Sequence, residues 1–416
     1  MCCDELPSFT HRERPLMFHP KSSRRKFVRD VSAFALAAGF ARPADAETDD
    51  ARLLARIEAH RPSRLSKLPK DFAARVGSAH VSGRYFLSEK PFLLEGAERL
   101  LALGTRLGKF WFEPDRPGRS YPFHSKWESC RTLVDLAKSD YFEQIWRMPF
   151  QTFILEAFSP VEHGWDKPDL PADFYIAIER EYREVTLHFL RSFRERGVTI
   201  VLQNWEGDWL LRGSDKKWTP PPTDWERRCG AMQRWFAARQ AGVATARAEM
   251  GAATKCIVAH AAEVNRVDDG FKGIPTMTRN VLPGVEVDLV SYSAYDGMNG
   301  GPLHFWKCLE EIRAHARTGP LFGPGALAIG EFGIPENASP ARITERYDVA
   351  LGVMLAADVR YAAHWQLYCN EFASPDAPPS TPVSDPKLLR GFWLVKPDGS
   401  LSEGGKYFSE LWQRAI

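Results

Sequence analysis

Two short stretches of the chain close apolar rows with acids. The first is VTIVLQNWEGDW, Val198 to Trp209, where Asn204, Glu206 and Asp208 occupy every second position. Side chains alternate between the two faces of a strand, so these three are expected to share a face with Val198, Ile200 and Leu202. The second is LAIGEFG, in which Leu327, Ile329 and Glu331 share a face by the same rule. A carboxylate that finishes an apolar row is costly to bury unless it is paired or functional. Two opposed carboxyl groups suit the cleavage of a glycosidic bond. One protonates the departing oxygen while the other attacks the anomeric carbon or activates a water. The protonated member needs a pKa raised by burial or by its neighbour's charge. Asp208, on the face of Glu206, is a rival acid.

Such chemistry requires a scaffold that holds two non-adjacent strand ends over one hollow. Runs with strand character fall at 75–82, 106–112, 151–158, 198–206, 255–264, 285–295, 326–333 and 361–368, separated by longer amphipathic segments. In one of these, Phe174, Ile178, Tyr182, Val185, Phe189 and Phe193 recur at three- and four-residue steps, and Gly197 follows where a helix C-cap is wanted. Segments 223–251 and 340–359 have the same character. Eight strands, each followed by a helix or a long loop, predict an α/β chain folded as a (β/α)8 TIM barrel over residues 71–416, with loop insertions beyond the typical ~250 residues. An open doubly wound sheet is the alternative, but no G-x-G-x-x-G or phosphate loop follows any strand. In a barrel of this kind the active site forms at the C-terminal strand ends. Those ends supply His80, Trp111, Glu113, Glu156, Asn204, Glu206, His260, Glu263, Tyr292, Tyr295, Glu331 and Trp365. The set is rich in acids and aromatics, lacks a nucleophilic serine or cysteine motif, and has no His-x-His for a metal on the first strand. Glu156 and Glu263 read as charge partners of nearby Arg or His. His80 is a candidate substrate contact, although a histidine without metal-ligand spacing is more often structural.

With Asn204 and Glu206 closing the fourth strand and Glu331 closing the seventh, the chain resembles the clan A glycoside hydrolases. These are retaining (β/α)8 barrels whose two glutamates come from strands four and seven. The resemblance covers most of residues 71–416. YSAY, Tyr292 to Tyr295, falls where the clan often has a tyrosine touching the nucleophile, and Trp365 where it often has a sugar-stacking tryptophan. GFWLVKPDGSLSEGGKYFSELW, 391–412, is similar to the last turn and helix of many such enzymes. The resemblance implies Glu206 as acid/base, Glu331 as nucleophile, Asn204 on the sugar's 2-hydroxyl and Tyr292 beside the nucleophile. Trp365 and Trp111 would stack on sugar rings, and no metal or organic cofactor is implied. One departure is plain: the clan places Asn directly before Glu, whereas Trp205 intervenes here. Retaining chemistry implies carboxyl groups about 5–5.5 Å apart, and inverting chemistry roughly 6.5–9.5 Å. The rival reading is a non-catalytic carbohydrate-binding or polysaccharide-assembly protein on the same barrel, which the shifted motif favours. A metal-dependent hydrolase is a third, weaker choice.

The bulk properties limit the partners. Lys+Arg 55 against Asp+Glu 53 leaves a formal charge of +2, and basic residues cluster only at the extreme N-terminus, so nucleic acid is a poor partner. Thirteen Trp and 26 Phe suit an aromatic core or a cleft lined with flat rings. The N-terminus carries SSRRKFVRD, then VSAFALAAGFA, then RPADAE. Paired Arg24 and Arg25, a short apolar segment and an A-x-A site at Ala44-Asp45-Ala46 make a signal peptide resembling those of the twin-arginine route. The expected layout is a signal at 1–46, a polar lead-in at 47–70 and a barrel at 71–416. The protein would be periplasmic or secreted, with the twin-arginine translocase as its partner during export. Later segments fall short of the ~20 apolar residues of a membrane helix. Of seven cysteines, Cys2 and Cys3 would leave with the signal. Cys130, Cys229, Cys256, Cys308 and Cys369 are scattered, which indicates neither a zinc site nor a disulfide scaffold. Cys256, inside CIVAHAA, reads as a small buried hydrophobe, and one disulfide among the others is open.

Overall fold

The structure is a computed structural model that describes residues 44–213, 218–374 and 382–415. The expected signal segment lies outside these residues except for its last three. Eight parallel strands close into a barrel: β1 (Val76–His80), β2 (Leu107–Phe112), β3 (Thr152–Ala157), β4 (Thr199–Gln203), β5 (Ile257–Val264), β6 (Leu289–Ser293), β7 (Leu327–Phe332) and β8 (Tyr361–His364). Each strand lies within one of the eight expected runs. Closure is made where β8 returns to β1, with Val76 opposite Ala362 and Ser78 opposite His364. That removes both sheet edges, and with them the open-sheet alternative.

The strands are apolar on both faces because both faces are covered. Leu107, Ile154, Val201, Ala261, Leu289, Ala328, Tyr361 and Ala363 fill the lower interior. Ile200, Leu202, Val258, Leu327 and Ile329 face outward into the larger core shared with the helices. The sixth run is interrupted at Asp288. Residues Glu286–Val287 leave the barrel to pair with Arg317–Thr318, while Asp288 receives two hydrogen bonds from Arg247, at 2.6 and 2.7 Å.

The expected helical stripe is present in Ala172–Ser192, which buries Ile178, Tyr182, Val185 and Phe189. This helix stops at Ser192, short of Gly197, and its last turn is finished by Phe193 and Arg196. The lead-in is more ordered than its composition implies. Ala44–Ala59 is a helix, and the turn after it is fastened to the barrel by Arg61 and Ser63, both bonded to the Asp348 carboxylate at 2.5–2.9 Å. The C-terminal helix Glu403–Arg414 brings Trp412 under β1, where its indole N–H donates to the Val76 carbonyl at 2.7 Å. The five described cysteines are unbridged, and Cys256 is buried as expected. Among the described residues, no helix is long and apolar enough to cross a membrane.

The apolar rows that lead toward Glu206 and Glu331 face outward in β4 and β7. Val201 faces the barrel interior, and Ile200 and Leu202 face the helices. Likewise Ala328 faces inward, and Leu327 and Ile329 outward. By simple alternation Glu206 and Glu331 would both point at the helical ring. Two local irregularities bring them back. Ser291 of β6 pairs with Ala328, but Ser293 pairs with Glu331. Two steps on β6 therefore match three on β7, which is a β-bulge with one extra residue. In β4 the strand ends at Gln203, and Glu206 sits in a turn at φ 19°, ψ 76° that opens the helix Gly207–Arg212.

Interior space is tight at the lower rim. A methyl group on Gly77 of β1 would lie 2.1 Å from the Leu107 carbonyl oxygen, a backbone atom of the neighbouring strand. Gly77→Ala is expected to lower stability by about 1–3 kcal/mol through overpacking, read as a lower denaturation midpoint in urea.

Candidate active site

Above the apolar layer the barrel interior turns polar. Lys109 of β2, Glu156 of β3, Gln203 of β4, Glu263 of β5 and Ser291 of β6 take the inward positions of their strands. Lys109 is fully buried, and its ammonium lies 2.5 Å from Glu156 Oε1, 3.0 Å from Glu331 Oε1 and 3.8 Å from Glu263 Oε2. It also donates to the Gly330 carbonyl at 3.0 Å. An ammonium has three protons, so Glu156, Glu331 and Gly330 engage all of them. Oxygens of Glu156, Glu263 and Glu331 lie within 4.8 Å of one another, close enough to hold a cation. Lys109 supplies that cation from the chain itself. Trp111 and Trp365 cover it, with ring centroids 5.3 and 5.9 Å from Nζ and 5.5 Å from each other.

Glu263 is the second anchor. Gln203 donates to its Oε2 at 2.8 Å and Ser291 at 3.1 Å, while its Oε1 accepts the backbone N–H of Glu206 at 3.0 Å. The last bond fixes the turn that swings Glu206 over the mouth. Only glycine fits opposite Glu263, because a methyl group on Gly330 would lie 1.8 Å from Oε2.

The two expected glutamates meet in this setting with different surroundings. Glu331, 3% exposed, accepts from Lys109 at 3.0 Å and from the Tyr295 hydroxyl at 3.3 Å. Burial raises its pKa, Lys109 opposes that rise, and the charge of Glu263 adds to it. The net effect is a carboxyl pushed up to about 7. Among the described residues, Glu206 accepts one side-chain bond, from Ser293 at 2.7 Å. Burial and then the charge of Glu331 hold it well above the usual carboxylate range. Of the pair, Glu331 is braced as an anion and Glu206 is favoured as a neutral acid.

The other expected residues divide. Trp111 and Trp365 stand at the mouth. Beside Trp111 a cleft of about 100 Å³ is lined by Glu113, Arg116, Glu156, Asn204 and Trp205. Asn204 lines it but is tied to β5, accepting from the Glu263 N–H at 2.8 Å and donating to the Glu263 carbonyl at 3.1 Å. Tyr292 does not reach Glu331. It is outward-facing, with its hydroxyl bonded to Asp296 and its ring against Phe305. The tyrosine that touches Glu331 is Tyr295, three residues later, because β6 ends at Ser293 and the turn of Tyr295–Asn299 folds it over the mouth. His80 is also outward-facing. It packs on Gly96 and Phe92, bonds the Phe92 carbonyl at 2.8 Å, and is held neutral by burial with its pKa lowered to about 4. It is a structural histidine. Asp208, the rival acid, accepts backbone N–H bonds from Asn265, Arg266 and Met277 at 2.8–3.1 Å, which pins loops together.

Lys109 stands in mid-strand, apart from the acids and aromatics at the strand ends. Its signal is the alternation Leu107, Lys109, Trp111, with a lysine in the middle of an apolar strand. Glu156 and Glu263 are charge-paired as expected, but with Lys109 and within the site itself.

No protein-family model and no curated protein matches the chain. Several solved structures do. The β-D-glucuronidase of Dictyoglomus thermophilum matches at 11% identity and TM-score 0.40, over 77% of this chain and 46% of its own. A β-glucuronidase from Ruminococcus gnavus in complex with uronic deoxynojirimycin matches at 10% and 0.45, over 81% and 49%. The virulence factor SghA in complex with its substrate analog salicin matches at 13% and 0.47, over 90% and 99%. The chain spans about half the length of the two glucuronidases. The likeness is one of barrel architecture, and the chemistry of the site follows from its own residues.

Removing one partner of a buried ion pair leaves the other charge uncompensated, at a cost of about 3–5 kcal/mol. Lys109→Met should lose that much stability, and the loss should depend on pH. Glu156, Glu206 and Glu331 have raised pKa values in the fold, so the folded chain keeps protons that the unfolded chain releases. Stability from this source is complete below about 4.5 and is lost as pH rises through the folded values. Without Lys109 those values rise further. The deficit of Lys109→Met against wild type should be smallest near pH 5 and grow toward pH 9, measured by urea denaturation.

Proposed function

We propose that the protein is a retaining glycoside hydrolase in which Glu206 is the acid/base and Glu331 the nucleophile. The observation that carries this reading is the unequal support of two carboxyl groups at one mouth. An ammonium and a phenol brace Glu331, while Glu206 has one hydroxyl donor and a strongly raised pKa. In the first step Glu206 gives its proton to the leaving glycosidic oxygen as Glu331 attacks the anomeric carbon and forms a glycosyl ester. In the second, the Glu206 carboxylate takes a proton from water, the water oxygen bonds to the anomeric carbon, and Glu331 leaves as a carboxylate. Lys109 and Tyr295 hold the nucleophile's charge before attack and after departure. Trp111 and Trp365 offer apolar faces to sugar rings and limit water around Lys109. The rival, a non-catalytic carbohydrate-binding barrel, has no use for this asymmetry. Export in the folded state is part of the proposal and rests on Arg24, Arg25 and the Ala44-Asp45-Ala46 site.

Two measurements test the mechanism. Glu331→Ala should lower kcat/KM on a responsive aryl glycoside by on the order of 10⁴-fold. Glu206→Gln should lower it by about 10²–10⁴-fold, both with unchanged circular dichroism. NMR of the first-formed product should show the anomer of the substrate. Inversion, or near-wild-type turnover by Glu331→Ala, would sink the assignment.

The pH profile offers an independent check. Activity needs Glu331 ionised and Glu206 protonated, so kcat/KM should rise near pH 7 and fall at higher pH, as a property of the coupled pair. Tyr295→Phe removes a donor that favours the Glu331 carboxylate, so the acid limb should move to higher pH. An unmoved limb would remove Tyr295 from the site.

A further inference from the structure

We infer that the mouth accepts an uncharged sugar and rejects one bearing a carboxylate, an inference that rests on the glycoside hydrolase reading and narrows its substrate class. The charge inventory comes first. Three carboxyl groups, Glu156, Glu263 and Glu331, lie within 3.8 Å of the Lys109 ammonium, and Glu206 feels the charge of Glu331. All three N–H bonds of that ammonium are directed at chain oxygens, so it has none to offer an acidic sugar.

Among the described residues, two guanidinium groups stand near the mouth, and each is paired with a carboxylate. Arg116 lines the cleft beside Trp111, where Glu113 takes its Nε at 3.0 Å and its Nη2 at 2.7 Å in a two-pronged pair. Arg390 lies over the Phe392 ring at 5.0 Å, and that ring meets Tyr295 edge-on at 5.9 Å. The carboxylate of Glu371 closes on Arg390. A sugar carboxylate entering here would meet the Glu331 carboxylate and cations that are already paired, and the low local dielectric would leave that repulsion poorly screened.

The unmet hydrogen-bonding needs of the site point the same way. Glu156 lines the cleft, is 3% exposed, and its Oε2 has no partner, as does the adjacent Gln203 Oε1. A hydroxyl group both donates and accepts, so it satisfies Glu156 Oε2 in either protonation state. A carboxylate only accepts.

The test separates binding from turnover. Glu206→Gln copies the protonated acid in shape, so this protein can be titrated by calorimetry with neutral gluco-, galacto- and manno-oligosaccharides and with their C6-oxidised counterparts. One neutral series should bind, and its oxidised counterpart about 10²-fold more weakly, in keeping with like-charge juxtaposition. In the same background, Glu113→Gln frees the Arg116 guanidinium and should improve binding of the oxidised form about tenfold while leaving the neutral form unchanged. Oxidised oligosaccharides binding as tightly as neutral ones would overturn the inference, and so would the absence of binding by every neutral series. If wild type binds a neutral oligosaccharide but never cleaves it, this inference stands and the hydrolase reading falls.

Discussion

A buried ammonium holds the upper barrel together. Three glutamates that converge within 4.8 Å could not share a dry interior on their own, because mutual repulsion and desolvation would force most of them to stay protonated. Lys109 makes the cluster tolerable, and the resulting bonds run in three directions at once. They reach β3 through Glu156, the β7 side chain through Glu331, and the β7 backbone through Gly330. The aromatic cover of Trp111 and Trp365 belongs to the same arrangement, since ring faces favour a cation and keep water from diluting its field. Structural and chemical roles coincide in this lysine. The group that permits the carboxyl groups to be buried also sets which of them carries charge.

The asymmetry between the two principal glutamates follows from how each is delivered. Glu331 rides on a strand, deep enough to meet Lys109 from below and Tyr295 from above. Glu206 rides on a turn beyond its strand. Its backbone is fixed by Glu263 and its side chain accepts from Ser293. The strand-borne carboxyl thus has an ammonium and a phenol as donors, and the turn-borne one a single hydroxyl and a neighbour's charge. Such a division of environments lets two chemically identical groups do opposite jobs at one pH.

The barrel itself was legible in the chain because closure demands eight doubly buried strands, and each leaves an apolar run bounded by polar residues. Helices with a three-and-four spacing were equally plain. Side-chain direction was less so. Alternation counted from Val198 or Leu327 places both glutamates on the wrong side, yet both arrive at the mouth, one by a bulge and one by a turn. Neither irregularity is written in local propensity, since each is enforced by partners on other strands, namely Ser291 and Ser293 for β7 and Glu263 for the turn. The same blindness exchanged Tyr292 for Tyr295, because the point where β6 stops is decided by its neighbours. His80 misled for a simpler reason: position at a strand end does not say which face a residue takes. Lys109 lay in plain view within an apolar strand, but its meaning depends on three acids that are distant in sequence.

The bulge in β7 has one more effect. By loosening the ladder it turns a carbonyl of the main chain, that of Gly330, toward the ammonium. Every residue type carries that oxygen, so no exchange of side chains can erase it. Variation at this position acts only through bulk, by crowding Glu263. One wall of the charge cage is therefore inherited as the shape of the polypeptide, independent of its spelling.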